Sequence, residues 1–263
     1  MGASGMLGRE RTSACERTAP DGANSAGPGN AVMTNALDPD GTVLAAEPPS
    51  LLKPLLRGWM HLVCFFLAIP AGIMVIVLAD TPRARVGASI YAFALVALFG
   101  VSGAYHRGPW TPAWRRNMQR LDHATIFVMI AGSYTPLCLL VLDRWMAVTL
   151  LVVAWTGALL GAVLAYVESA ASRLIRNGLY IAIGWFAMIA TPQLADGLST
   201  TQLTLVAIGG GLFTLGALGL ATRWPDPFPR VFGYHEVWHT LVVAAVVCHF
   251  VALASVIRSP MSV

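Results

Sequence analysis

Three short stretches of this 263-residue chain carry side chains suited to chemistry. Ser102 and His106 stand four apart, Asp122 and His123 follow, and His235, Glu236 and His239 come near the end. A spacing of four puts two side chains about 40° apart around a helix, on one side of it. His235 and His239 can therefore aim both rings at one point, and Ser102 and His106 share a face in the same way. Two imidazoles from one helix and one from another make three nitrogen ligands. Zinc held by three protein ligands keeps its fourth position for water, which is the pattern of a catalytic site. His-x-x-x-His alone is a weak signal. The competing reading is a polar network that ties the helices together without metal.

The neighbours of these histidines have two readings each. Asp122 suits a base that hydrogen-bonds a metal-held water, or a cap at a helix start. Ser102 suits orienting a ligand, or packing a helix contact. His123 lies about 100° from Asp122 on a helix, so the two do not serve one metal. Residues 235–239 also match the HExxH pattern of zinc proteases, whose Glu is the general base. That chemistry takes its third ligand from further along the chain, and no Asp or Glu follows Glu236. The missing ligand is available only upstream, at His106, so the pattern is set aside and Glu236 is a weak base candidate.

The elements that must carry these residues are membrane helices. The chain is 56% hydrophobic and 11% charged, with a mean hydropathy of +0.66. Soluble domains carry about a quarter charged residues. A span needs about 20 apolar residues, and seven runs qualify: about 58–79, 84–106, 121–142, 145–166, 177–195, 200–221 and 233–257. Thr191, Pro192 and Gln193 interrupt the fifth, and Gly209, Gly210 and Gly211 loosen the sixth or let it pack closely. With alternating direction, Ser102 and His106, Asp122, and the 235–239 group all fall at one membrane face. Lys53, Arg57, Arg107, Arg115, Arg116, Arg120, Arg173, Arg176, Arg223 and Arg230 lie on that side, and only Arg83, Arg85, Arg144 and Arg258 on the other. The positive-inside rule then predicts a cytoplasmic N-terminus and an outside C-terminus, with the site near the cytoplasmic face.

The net charge of +4 follows from these orienting arginines, and no nucleic-acid partner is expected. Residues 1–50, rich in small and polar types, read as a disordered cytoplasmic tail before a single membrane domain over 51–263. Cys15, Cys64, Cys138 and Cys248 form no CxxC pair and read as buried small side chains. His61 and His249 have no partner four residues away and read by default as interhelical hydrogen-bonding groups, the other option being a role in a lipid pocket. Trp59, Trp145, Tyr166 and Trp224 fit an interfacial belt.

Four segments together carry a resemblance: Ser102 to His106 (SGAYH), Leu121 to His123 (LDH), Ala131 to Pro136 (AGSYTP) and Gly233 to His239 (GYHEVWH). The chain resembles the hemolysin III family, within the progestin and adipoQ receptor superfamily that includes the adiponectin receptors. The stretch from Lys53 to His61 also looks like the start of bacterial members. The resemblance implies an all-α, seven-transmembrane bundle with the N-terminus inside. It implies zinc on His106, His235 and His239, with Asp122 close to the zinc-bound water and Ser102 beside it. The receptor branch's Glu-Asn-His signature is missing before the first span, so a hormone-receptor role is not implied. The expected function is a zinc-dependent hydrolase of lipid amide or ester bonds, ceramidase-like, in the plasma membrane, with a membrane lipid as substrate or ligand. The alternatives are a channel-forming or cytolytic protein and a non-catalytic, zinc-stabilised regulator of membrane lipid composition.

Overall fold

A computed structural model describes residues 54–167 and 169–258. The expected tail over residues 1–50 lies outside the described residues. Helices α1 (Trp59–Val77), α2 (Pro82–Arg107), α3 (Pro112–Leu140), α4 (Arg144–Tyr166), α5 (Ala170–Phe186), α6 (Thr191–Gly197), α7 (Thr200–Thr222) and α8 (Tyr234–Arg258) follow in order. A 3₁₀ turn, Ala187–Ala190, joins α5 to α6. Among the described residues, seven helical stretches are long and apolar enough to cross a membrane, the fifth being Leu174–Gly197.

The helix starts follow local chemistry. The first N–H groups of a helix have no partner within it, so side-chain oxygens cap them. Thr81 Oγ1 accepts from Ala84 N (3.1 Å), and Asp143 Oδ1 from Met146 N (2.8 Å). Ser199 accepts from Gln202 N at 3.3 Å while the Gln202 side chain accepts from Ser199 N at 2.8 Å, a reciprocal cap. Thr111 accepts from Trp114 N at 3.5 Å, with Pro112 opening α3. α3 therefore begins well before the expected 121. The polar run through Arg115 and Arg120 hid this start from a reading based on apolar runs.

The fifth span is the other departure. Thr191, Pro192 and Gln193 were expected to interrupt it, and the chain does change there from 3₁₀ turn to α6, with Pro192 in the first turn. Tyr134 on α3 holds this weak point. Its hydroxyl reaches the carbonyls of Ile183 (2.6 Å) and Gly184 (2.9 Å) and accepts from Ala187 N (3.1 Å). These are backbone groups that the broken helix would otherwise leave unpaired in lipid.

α2 and α3 form the enclosed centre: 56% and 61% of their apolar stretches are buried, against 11% for α7. Small residues permit the close approaches. A Cβ at Gly132 would stand 2.5 Å from Ala94 Cβ, and one at Gly209 would stand 2.3 Å from the His249 ring. Gly210 and Gly211 meet nothing within 4 Å. The close packing expected of that glycine run thus rests on its first member. His249 accordingly bridges α8 to α7, its Nε2 lying 3.2 Å from the Val206 carbonyl, as a histidine without a nearby helical partner suggested.

Tyr134→Phe removes the hydroxyl and strands the fifth span's carbonyls. It is expected to lower stability by about 1–3 kcal/mol, read as an earlier thermal transition of the detergent-solubilised protein with helical content unchanged.

Candidate metal centre

His106 lies in the last turn of α2, and His235 and His239 lie in the first turns of α8. The helices cross so that one ligand atom from each of the three rings lies within 4.8 Å of the other two. His106 and His239 are buried and His235 is half-buried. The Nε2 atoms of His106 and His235 are 3.4 Å apart. A tetrahedral zinc with ligands at about 2.0–2.1 Å separates its nitrogens by about 3.3 Å. The donor set therefore fits zinc in ligand type and number, and the His106–His235 separation matches a tetrahedral pair.

Asp122 is brought to the same turn of α2. The Ser102 hydroxyl, one turn before His106, hydrogen-bonds the Asp122 side chain. The cap reading of Asp122 fails, because Thr111 caps α3 and Asp122 sits more than two turns inside the helix. Its neighbour His123 is not one of the three converging rings, and its backbone carbonyl accepts from the Tyr180 hydroxyl at 3.1 Å.

Glu236 is occupied by structure. One carboxylate oxygen pairs with Arg57 from the segment before α1. The other accepts from Gly233 N at 2.9 Å, which caps α8. Glu236 is 2% exposed. A carboxylate committed to both partners is not free to act as a base, so the HExxH match is coincidental.

The segment before α1 is the part that sequence reasoning missed. Leu55 N and Leu56 N donate to the carbonyls of Arg230 and Val231, both at 3.1 Å, and Arg57 continues onto Glu236. The chain then turns at Gly58 with φ +81°, a conformation that favours glycine. A Cβ there would stand 2.3 Å from His106 Cβ. Gly58 thus lets the start of α1 lie directly against the first ligand.

His61 was also placed wrongly. The default expectation is an interhelical hydrogen-bonding group, yet among the described residues neither ring nitrogen has a hydrogen-bond partner. Its ring instead stacks on His239, with centroids 3.8 Å apart and planes at 24°, while Phe99 meets it edge-on at 5.2 Å. The only sequence signal was a histidine one turn into an apolar helix, which says nothing about azimuth.

A bundle of seven membrane-crossing helices with polar groups gathered at one end defines a multi-pass membrane protein. The profile of the "Haemolysin-III related" family matches residues 50–250. The chain is 30% identical to "Hemolysin-3" of Bacillus cereus over 189 residues, 70% of this chain and 82% of that one. It is 32% identical to the "Hemolysin-3 homolog" of Bacillus subtilis (strain 168) over 126 residues, 48% of this chain and just over half (56%) of that relative's length. It is 25% identical to the human "Monocyte to macrophage differentiation factor" over 188 residues, 70% of this chain and 76% of that protein. The chain belongs to the hemolysin III family, within the progestin and adipoQ receptor superfamily.

Arg57→Ala leaves the Glu236 carboxylate buried without its cation. Breaking a buried pair from one side costs about 3 kcal/mol or more. The expected result is a clear drop in thermal midpoint that Glu236→Gln in the same chain partly reverses, measured by unfolding of the solubilised protein.

Proposed function

We propose that this protein is a zinc-dependent hydrolase of a lipid amide or ester bond, with its site at the cytoplasmic end of the bundle in the plasma membrane. The observation that supports it most is the convergence of His106, His235 and His239 beside a Ser102–Asp122 pair from two further positions in the chain. Three nitrogen ligands leave room for a fourth group. A carboxylate one hydrogen bond away from the ligand helix is what a hydrolytic site needs as proton acceptor. The arginine distribution supports a cytoplasmic N-terminus and an outside C-terminus.

In this reading the three imidazoles hold the ion and leave one side open. When bound, zinc supplies Lewis acidity, which lowers the pKa of a water to about 7 and polarises a carbonyl. Asp122 accepts the proton that the attacking water loses as its oxygen bonds to the acyl carbon. It returns that proton to the leaving nitrogen or oxygen as the acyl bond breaks, so the products are a fatty acid and an amine or alcohol. Ser102 fixes the orientation of the Asp122 carboxylate by its hydrogen bond. The ends of apolar helices are where a lipid carbonyl meets water, which suits this substrate class.

The relatives' name supports a second reading, a lytic or channel-forming protein. Its signature would be a conductance that survives removal of all three histidines.

The purified protein is expected to contain about one zinc per chain by elemental analysis. Asp122→Ala should keep the metal and lose about 10²–10⁴-fold of turnover on acylated lipids. His106→Ala should lose the metal itself. Full turnover in the Asp122→Ala, His106→Ala double variant would sink the mechanism.

A further inference from the structure

His61 is the buried polar group that this mechanism leaves unused. It is 3% exposed, and both of its ring nitrogens are buried without a hydrogen-bond partner among the described residues. A neutral imidazole carries one N–H donor and one acceptor nitrogen. Burying both unpaired is unfavourable. Stacking alone does not account for a histidine here, because a phenylalanine ring would stack on His239 and edge onto Phe99 without that cost.

The stack fixes where the unpaired nitrogens stand. The rings of His61 and His239 are 3.8 Å apart and nearly parallel. With ring nitrogens close to each centroid, every His61 nitrogen lies within about 6 Å of whichever His239 nitrogen faces the ion. His61 nevertheless does not join the set of nitrogens that lie within 4.8 Å of one another. A ring lying flat on a ligand ring also points its lone pair away from the ligand's own metal, since that lone pair stays in the ring plane. The geometry therefore puts an imidazole next to the centre, at the distance of a group bound to the ion rather than of the ion itself.

We propose that His61 is a fourth imidazole of this centre, one that does not ligate the ion but hydrogen-bonds an oxygen of the lipid polar group held there. α1 brings it in beside His239, Phe99 holds its edge, and the bound oxygen completes its hydrogen bonding. The assignment rests on the reading that the three-histidine centre binds metal and leaves a position open to a lipid oxygen. It adds a substrate contact from α1, an element that supplies none of the ligands.

The test uses the full-length solubilised protein loaded with Co(II), whose visible absorption reports groups bound at the metal without any turnover. The probe is dodecanohydroxamic acid, an acyl chain ending in oxygens that bind metal. The wild-type spectrum should shift and saturate as the probe is added. His61→Phe keeps the stack, so it should load Co(II) as the wild type does and bind the probe about ten-fold more weakly. His61→Asn and His61→Gln, which restore a side-chain N–H at one or other ring position, should recover part of the loss in one of the two. Equal probe affinity in wild type and His61→Phe would overturn the assignment while leaving the open metal site intact. Loss of Co(II) binding in His61→Phe would also overturn it, by making His61 a support of the metal. No spectral response in the wild type would instead remove the underlying reading of an open site.

Discussion

Three imidazoles from two helix ends converge on one point. The Nε2 atoms of His106 and His235 are 3.4 Å apart, and a nitrogen of His239 lies within 4.8 Å of both. One nitrogen from each of three rings brought to one place is the arrangement that the ligands of a metal ion take. The surrounding structure is organised to hold that convergence. α8 must begin where α2 ends, at the same depth and on the facing side. The Arg57–Glu236 pair, the cap from Glu236 to Gly233 and the turn at Gly58 fix these two helix ends against each other. The carboxylate of the apparent HExxH motif thus supports the ligands by holding their helix in place.

Depth and azimuth are separate coordinates, and the sequence reveals them unequally. Depth is legible because hydropathy marks where each span begins and ends, and because spans alternate in direction. That is why Ser102, His106, Asp122, His235 and His239 could be assigned to one face from the order and direction of the spans. Azimuth is legible only within a helix, through the four-residue repeat that pairs His235 with His239 and Ser102 with His106. Azimuth between helices depends on packing. His61 shows the gap: its depth was clear, but its stack on His239 depends on how α1 rolls against α8. Arg57 shows another form of it, since its partner lies far along the chain and a single arginine before a span already had a sufficient reading as an orienting charge.

The misplaced start of α3 has the same root. A membrane helix can run past the apolar layer into the headgroup region, where polar residues favour neither lipid nor a loop. Hydropathy ends at the layer and backbone hydrogen bonding does not. The local signal was present, in Thr111 and Pro112, but it stands nine residues before the apolar run. Moving the start back changes the status of Asp122. A carboxylate at a helix start has a cheap structural reason to be there, and one inside the helix has none. The correction therefore strengthens the case that Asp122 is retained for chemistry.

The distribution of enclosure explains why the site uses the helices it does. α2, α3 and α8 bury 56%, 61% and 39% of their apolar stretches, whereas the fifth span and α7 bury 17% and 11%. An ionisable side chain on a helix that mostly faces lipid finds no partner, so polar chemistry has to sit where other helices surround it. Arg176, in the lower part of the lipid-facing α5, shows the rule from the other side. It is turned inward, where its guanidinium reaches the Tyr180 hydroxyl, which in turn donates to the His123 carbonyl. The peripheral helix thereby contributes a buried charge to the same end of the bundle. A chain dissolved in lipid has few places for charge, and these side chains gather at one of them because the enclosed helices end there together.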